Sequence, residues 1–228
     1  MKDRFDKWNK WLDVINDEVT TLAMNRHIFW EVQNIIRNNE AIQKPSSFYT
    51  FLGSSYVALA VMAVRRQLKI DNTSISFARL LQEIVDPPDV ISRERFVDLY
   101  KGSVVEDLAN RDFDRFSADG KSHVDIDMVR ADLEKLKTLG QGCEAFADKR
   151  IAHYDSRAPK VLPTFNELDT CIDHLEGLLK KYRLLFRAEA VISVLPTWQY
   201  NWKEIFELPW LPSEDEPDKP NQPLQPDR

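Results

Sequence analysis

Hydrophobic residues recur at steps of three and four along most of the chain, which is the spacing of one buried face of an α-helix. One stripe runs from Trp8 to Ala23, and the same pattern resumes from Ile28 to Ala41. Lys44-Pro45 then ends the pattern, because proline cannot continue a helix. This part of the chain is therefore predicted to form either two helices or one bent helix.

The stretch from Phe48 to Leu68 is apolar nearly all round, and it is predicted to be a helix at the centre of a bundle. Ser46 or Ser47 can cap its first turn. A shorter helix follows, capped by Ser74 or Ser76 and ended by the prolines at positions 87 and 88. Glycine is scarce throughout, with six in 228 residues, and this favours an all-helical chain.

Helical periodicity is weak from about residue 86 to residue 122, where charged residues are frequent. This part is predicted to be a helical insertion or hairpin whose charges form a solvated face. A long amphipathic helix then runs from Val124 to near Asp155, and Gly140 and Gly142 within it favour a close helix contact or a kink. The predicted fold class is therefore all-α, a helical bundle with a helical insertion.

The last predicted helix opens with the capping-box pattern Thr164-Phe165-Asn166-Glu167 and runs on toward Val194. Residues 1–196 are thus predicted to form one bundle domain. Residues 197–212 form an aromatic segment that packs either on the bundle or on a protein partner through Trp198, Trp202 and Trp210. The acidic, proline-rich residues 213–228 are predicted to be a disordered tail.

Composition narrows the functional classes. Hydrophobic residues make up 43% of the chain and charged residues 30%, as in a globular protein. The net charge of -6 excludes a global basic field for nucleic acid and leaves a local basic patch open. The two cysteines show no metal or disulfide spacing, and the four histidines include no ligand pair, so no metal and no cofactor are predicted.

Localisation is predicted from the same composition. The start of the chain carries charges of both signs and leads into a tryptophan-bearing helix, so no signal peptide is expected. The most apolar run, from Val57 to Val64, ends in Arg65-Arg66 and is shorter than a membrane span. Cys143 and Cys171 are interpreted as reduced, buried thiols. The protein is therefore predicted to be cytoplasmic, without a membrane partner.

The stretch from Phe146 to Asp155 crowds ionisable side chains into a helix that should face the core, and such conflicts often mark function. On an α-helix, Lys149 and Arg150 lie four and three residues before His153 and therefore share a face with it. A histidine can move a proton to or from a 2′-hydroxyl, while nearby cations stabilise charge on the phosphate. His153, Arg150 and Lys149 are therefore the predicted catalytic residues for chemistry on RNA.

A purely structural interpretation of the same stretch stays open. Asp148 and Asp155 can pair with Arg65 or Arg66, and His153 can be a buried residue that makes ordinary hydrogen bonds. Under the functional interpretation, further residues around the histidine support it: Asp148, Tyr154, Asp155, Arg65 and Arg66.

The run from Asp148 to Asp155, closing a long helix of an all-helical chain, resembles the HEPN superfamily. The resemblance is to its abortive-infection branch, where a similar Lys-x-x-Ala-His-x-Asp run ends a core helix. Arg65-Arg66-Gln67, followed by Ser74-Ile75-Ser76 and Leu80-Leu81, is similar to the same branch. The resemblance covers roughly residues 25 to 190.

The HEPN resemblance implies a four-helix core that forms a homodimer and places two Arg-x4-6-His motifs across a shared cleft, as a metal-independent ribonuclease. The histidine carries over onto His153. The motif is degenerate, because the place of its arginine is taken by Phe146, Ala147 and Asp148. Lys149, Arg150 or Arg65 would then supply the cation.

Two hypotheses follow. The first is a HEPN-like protein of a bacterial defence or toxin-antitoxin type system that binds or cleaves RNA without metal, with endoribonuclease activity left open. The second is a non-catalytic helical module for protein interaction or dimerisation, since members of the superfamily that lack the full motif are taken as RNA-binding or interaction modules.

Overall fold

The computed structural model describes residues 2–86, 91–117, 120–152, 156 and 163–211. These residues contain seven α-helices and no β-strand, so the all-α prediction is confirmed. The chain divides into two units, Met1–Pro196 and Thr197–Arg228. The helices of the first unit carry the core and the candidate site.

The two N-terminal hydrophobic stripes belong to one helix, α1 (Lys2–Arg37). No proline or glycine separates them, so nothing in the backbone chemistry ends the helix at Asn25. The inward face of α1 is nearly inaccessible to solvent, and it includes Trp8, Leu12, Ile15, Val19 and Leu22. A short 3-10 turn, Glu40–Ile42, leads to the next helix.

Helix α2 (Ser47–Leu68) begins where the sequence predicts, because the Ser46 side chain accepts a hydrogen bond from the Phe48 N–H. Its predicted central position holds only in part, although α2 contacts the three other long helices. Only one face is buried, while Phe48, Phe51 and Leu59 on the other are 48%, 66% and 45% exposed. A sequence that is apolar all round does not specify how many neighbours cover the helix, and here one face of α2 is left open.

Helix α2 is also long and apolar enough to cross a membrane when judged by length and composition, as the core helices of many soluble proteins are. The predicted absence of a membrane partner therefore stays a prediction.

Helix α3 (Phe77–Val85) has Ser76 as its N-cap, as predicted. The insertion that follows contains α4 (Arg93–Asp98) and α5 (Ala109–Phe113). Its two ends are held together, because the Arg93 N–H donates to the Ser122 carbonyl at 2.7 Å and the Val124 N–H donates to the Ile91 carbonyl at 3.2 Å. Its aromatic side chains form a small core: Phe96, Tyr100, Phe113 and Phe116.

The charges of the insertion are not all on a solvated face. The Arg93 guanidinium is 19% exposed and lies 4.7 Å from the Phe113 ring centroid. It donates to the Lys121 carbonyl, to Asn110, to Asp114 and to Ser117. Arg93 therefore ties α4, α5 and the returning chain together, which corrects the predicted role of this charge.

Helix α6 (Ile126–Phe146) is capped by Asp125. The predicted continuous helix to Asp155 is corrected here, since one π-helical turn, Ala147–Ile151, replaces the α-helical pattern. The predicted close contact at Gly140 is confirmed, because a Cβ built there would lie 2.5 Å from a methyl carbon of Leu68 on α2. The missing side chain lets α2 and α6 approach closely.

Helix α7 (Phe165–Arg187) opens with the predicted capping box, in which Thr164 and Glu167 bond each other's backbone N–H groups. The prediction that it runs toward Val194 is wrong. Ala188 adopts a left-handed conformation with φ of 57°, and this stops the helix. Helices α1, α2, α6 and α7 pack against one another as a four-helix core, with α3 against α6.

The second unit is described up to Leu211 and contains a ladder of aromatic rings. Its successive ring centroids lie 6.1, 6.3 and 5.9 Å apart, in the order Trp198, Trp202, Phe206 and Trp210. Its predicted packing on the bundle or on a partner stays a prediction. The acidic tail, residues 213–228, lies outside the described residues.

Candidate functional site

The candidate site is built around the π-helical turn, Ala147–Ile151, which packs against α2. Single π turns inside or at the end of α-helices are frequent at functional sites. Ala147 is completely buried and anchors the turn in the core, while Asp148 is half exposed. The turn therefore presents the charged residues that follow Ala147 at the edge of the bundle.

Arg65 reaches this turn from α2. Its Nε and one of its terminal nitrogens each lie 2.6 Å from Oδ1 of Asp148. Arg66 does not reach the turn, because it pairs with Glu18 on α1 at 2.6 Å. Of the two predicted supporting arginines, the structure thus places only Arg65 beside the candidate stretch, in the ion pair that the structural interpretation allows.

The Arg65 pair contributes little to stability. Asp148 is 49% exposed, and ion pairs this open to solvent stabilise by about 1 kcal/mol or less. The two contacts of Arg65 with Oδ1 of Asp148 connect α2 to the turn. The ion pair holds Arg65 at the edge of the bundle where Lys149 and Arg150 lie.

Lys149 and Arg150 follow Asp148 on the turn and are both partly exposed. Their predicted adjacency to His153 assumed α-helical spacing, and the π turn changes that spacing over Ala147–Ile151. His153, Tyr154 and Asp155 lie outside the described residues. Their predicted roles therefore stay predictions.

An open groove lies beside the turn, between α2 and the start of α7. We call it the α2–α7 groove. It encloses about 390 Å³. Its walls are formed by Tyr49, Thr50, Gly53, Ser54, Val57, Ala58, Phe146, Ile151 and Phe165. A smaller cavity of about 140 Å³ shares Val57, Phe146 and Phe165 with it. No charged side chain is among the described residues that line either one.

The groove was not predicted from the sequence. A helix assigned to the bundle centre leaves no open face, so the small residues Gly53, Ser54 and Ala58 had no evident role. All three residues have small side chains or none, and Ser54 and Ala58 lie four residues apart on one face of α2. This was the signal in the sequence for a depression on that side of the helix. Ile151 belongs both to the π-helical turn and to the lining of the groove, so the aromatic residues of the groove adjoin the turn that carries Lys149 and Arg150.

A second cluster of titratable residues joins α1 to α7. Arg26 donates to Asp173 at 2.5 Å, to Glu176 at 2.6 Å and to the Asp169 carbonyl at 3.2 Å. The Trp30 indole N–H donates to Oδ2 of Asp169 at 3.0 Å. Burial raises the pKa of Asp169 and of Glu176, and Arg26 opposes both shifts.

This cluster was also missed, because its members lie about 140 to 150 residues apart. Two buried oxygens beside it, Oη of Tyr56 and Oδ1 of Asp169, have no hydrogen-bond partner among the described residues. Neither Tyr56 nor Asp169 is among the described residues that line the α2–α7 groove or the smaller cavity beside it. The contacts of Arg26 make this cluster an electrostatic connection between α1 and α7.

The remaining candidate groups are the two cysteines, His174 and possible metal ligands. Burial raises the pKa of Cys143 to about 11 and of Cys171 to about 12, so both thiols stay protonated at neutral pH. Burial also lowers the pKa of His174, which keeps its ring neutral. Within the described ranges, no group of three or more His, Cys, Asp or Glu side chains is placed to hold a metal ion.

No family model, curated protein or solved structure matches this chain. The HEPN resemblance therefore rests on the motif residues themselves.

Proposed function

We propose that this chain is a HEPN-like helical protein of a bacterial defence or toxin-antitoxin type system, and that it binds RNA at the π-helical turn. It acts in the cytoplasm as a homodimer. The observation that supports this proposal is the cationic turn, with Lys149 and Arg150, beside an aromatic groove on an all-α bundle. Cations that track phosphates next to aromatic rings that stack on bases are the parts that single-stranded nucleic acid requires.

Cleavage, where it occurs, uses His153 without a metal ion. In this proposal His153 takes the proton of a ribose 2′-hydroxyl, and the oxygen attacks the adjacent phosphate. Lys149 and Arg150 stabilise the negative charge that grows on the phosphate oxygens. The imidazolium of His153 then gives this proton to the leaving 5′-oxygen of the next nucleotide, and a 2′,3′-cyclic phosphate remains.

Removing both cations of the turn, with Lys149→Ala and Arg150→Ala together, is expected to weaken RNA binding. Each lost phosphate contact should reduce the salt dependence of log K by about 0.7 for a single strand, so the slope should fall by about 1.4. Fluorescence anisotropy of a labelled RNA, measured at several salt concentrations, gives both values. The matched control is Arg130→Ala with Lys137→Ala, which removes two exposed cations from α6.

Equal loss in the two double variants would contradict a specific role for the turn, since both change the net charge by the same amount. His153→Ala tests cleavage separately. It should retain RNA binding and lose at least about 100-fold in cleavage rate. Identical RNA profiles with and without the wild-type protein would exclude the enzymatic part of the proposal and leave binding to be judged by anisotropy.

A second candidate function, a protein-interaction or dimerisation module, is favoured by the aromatic ladder. Large apolar residues of that segment are more than half exposed: Tyr200, Ile205, Leu208, Trp210 and Leu211. Surfaces of this kind are typical of interfaces. If this function holds, deleting residues 197–228 will convert a dimer to a monomer in sedimentation velocity while the bundle keeps its helical circular dichroism. A truncated protein that still sediments as a dimer would count against it.

A further inference from the structure

The rings of the α2–α7 groove include one that is both exposed and rigidly supported. Phe165 is 40% exposed. On its other side it stacks on Phe29 with ring centroids 5.6 Å apart and an interplanar angle of 19°. Phe29 in turn stacks on Tyr56 at 4.0 Å and 7°. Phe165 is therefore a fixed aromatic face at the groove, supported by two buried rings.

Cationic residues neighbour lining residues of the groove along the chain. Lys149 and Arg150 directly precede Ile151, which lines the groove. Tyr49, another lining residue, donates its hydroxyl to the Ile42 carbonyl at 2.6 Å, and the exposed Lys44 lies two residues after Ile42. Among the described residues the lining has hydroxyl groups and no carboxylate. Cations beside an uncharged lining are compatible with a polyanion although the whole chain carries -6, because the neighbouring carboxylates of Asp148 and Glu167 are bonded to Arg65 and to Thr164.

We propose that the α2–α7 groove is a base-stacking subsite for single-stranded RNA. A nucleobase stacks on Phe165, and the flanking phosphates lie on Lys149 and Arg150. This proposal rests on the RNA binding proposed above and adds the form of the ligand. A strand in a duplex cannot enter, because its bases are already stacked and paired. The groove volume of about 390 Å³ falls in the range of small-ligand sites.

Gly53 allows the groove to be closed without disturbing the core. It lies in the middle of α2 and lines the groove, and a Cβ built on it meets no atom within 4 Å. Gly53→Leu should fill the groove, and it should raise thermal stability because glycine weakens helix interiors. Gly177→Leu is a matched control, since Gly177 lies inside α7, has the same open surroundings and does not line the groove.

The test is fluorescence anisotropy with a labelled single-stranded RNA and with an abasic strand of the same length. Loss of one stacked base should weaken binding about five- to 150-fold. Gly53→Leu should show this loss with the RNA, while Gly177→Leu binds as the wild type does. The abasic strand should bind the wild type weakly, and Gly53→Leu should not change that affinity further. Phe165→Leu, which keeps an apolar side chain and removes the ring, should reproduce the loss if Gly53→Leu does not fold.

Each other outcome has a distinct meaning. If Gly53→Leu and Phe165→Leu bind RNA as tightly as the wild type while Lys149→Ala with Arg150→Ala weakens binding, the subsite is wrong and RNA binding stands. If the wild-type protein binds no RNA, both proposals fail. If Gly53→Leu dissociates a dimer in sedimentation velocity, the groove is an interface between copies of this chain, and the subsite is wrong.

Discussion

Replacing Arg93 with alanine is expected to open the helical insertion, at a cost of about 3 kcal/mol in the free energy of unfolding. The guanidinium is 19% exposed and serves acceptors on four residues, among them Asp114 at 2.6 Å. Removing it leaves the Lys121 and Asn110 carbonyls without these donors and strips the Phe113 ring of its cation. These groups lie both in α5 and in the returning chain, so no single side chain nearby can replace the lost bonds.

Hydrogen exchange measures this effect segment by segment. The amides of α4 and α5 should lose protection in Arg93→Ala, while those of α1 and α7 keep theirs, because the insertion has an aromatic core of its own. Arg115→Ala is the matched control within the insertion. Arg115 is 61% exposed and pairs with Asp112 at 3.4 Å, so its loss should change stability by less than about 0.5 kcal/mol. Equal loss of protection in both variants would contradict the role assigned to Arg93.

Helix starts could be predicted closely from the sequence, because N-caps are local chemistry. Ser46, Ser76 and Thr164 each bond a backbone N–H two or three residues ahead, as their positions in the sequence suggest. Helix ends were predicted less well. Neither the π turn after Phe146 nor the left-handed Ala188 contains a proline or glycine that would predict the end of a helix. Such endings depend on how the helix meets its neighbours, which periodicity does not encode.

Part of the candidate site could also be predicted from the sequence, and part could not. The ionisable run after Phe146 could be found because it conflicts with its own helix, and pairing of Asp148 with Arg65 or Arg66 was one predicted alternative, of which the pair with Arg65 is the one observed. The groove could not be found, since it depends on which face of α2 the other helices cover. Whether one face of an apolar helix is exposed depends on how the other helices pack, and the sequence of that helix alone does not specify it.

Arg26→Met is expected to destabilise the bundle by about 3 kcal/mol at pH 8, because it leaves buried carboxylates without their cation. Arg26 is 19% exposed and Glu176 is 16% exposed, so water screens this pair poorly. Methionine keeps much of the apolar stem of arginine and removes the charge. The loss should therefore be electrostatic rather than a cavity effect.

The penalty should depend on pH with a definite sign. Burial raises the folded-state pKa of Asp169 and of Glu176. The stability that each group contributes is therefore complete below its unfolded pKa, near 4, and is lost as pH rises through the raised folded value. Arg26 lowers both pKa values, so its removal raises them further and widens this window. The difference between variant and wild type should thus shrink from pH 8 to pH 5, as the carboxyl groups take up protons.

Urea unfolding at pH 5 and pH 8 checks this, with Arg66→Met as the matched control. Arg66 also pairs with a carboxylate, but its side chain is 53% exposed and that of Glu18 is 37% exposed, so its loss should stay below about 1 kcal/mol at both pH values. Adding Glu176→Gln to Arg26→Met should restore part of the stability at pH 8 and little at pH 5, because it removes a buried charge that only the higher pH creates. A penalty for Arg26→Met that is the same at both pH values would show that packing, not charge, connects α1 to α7.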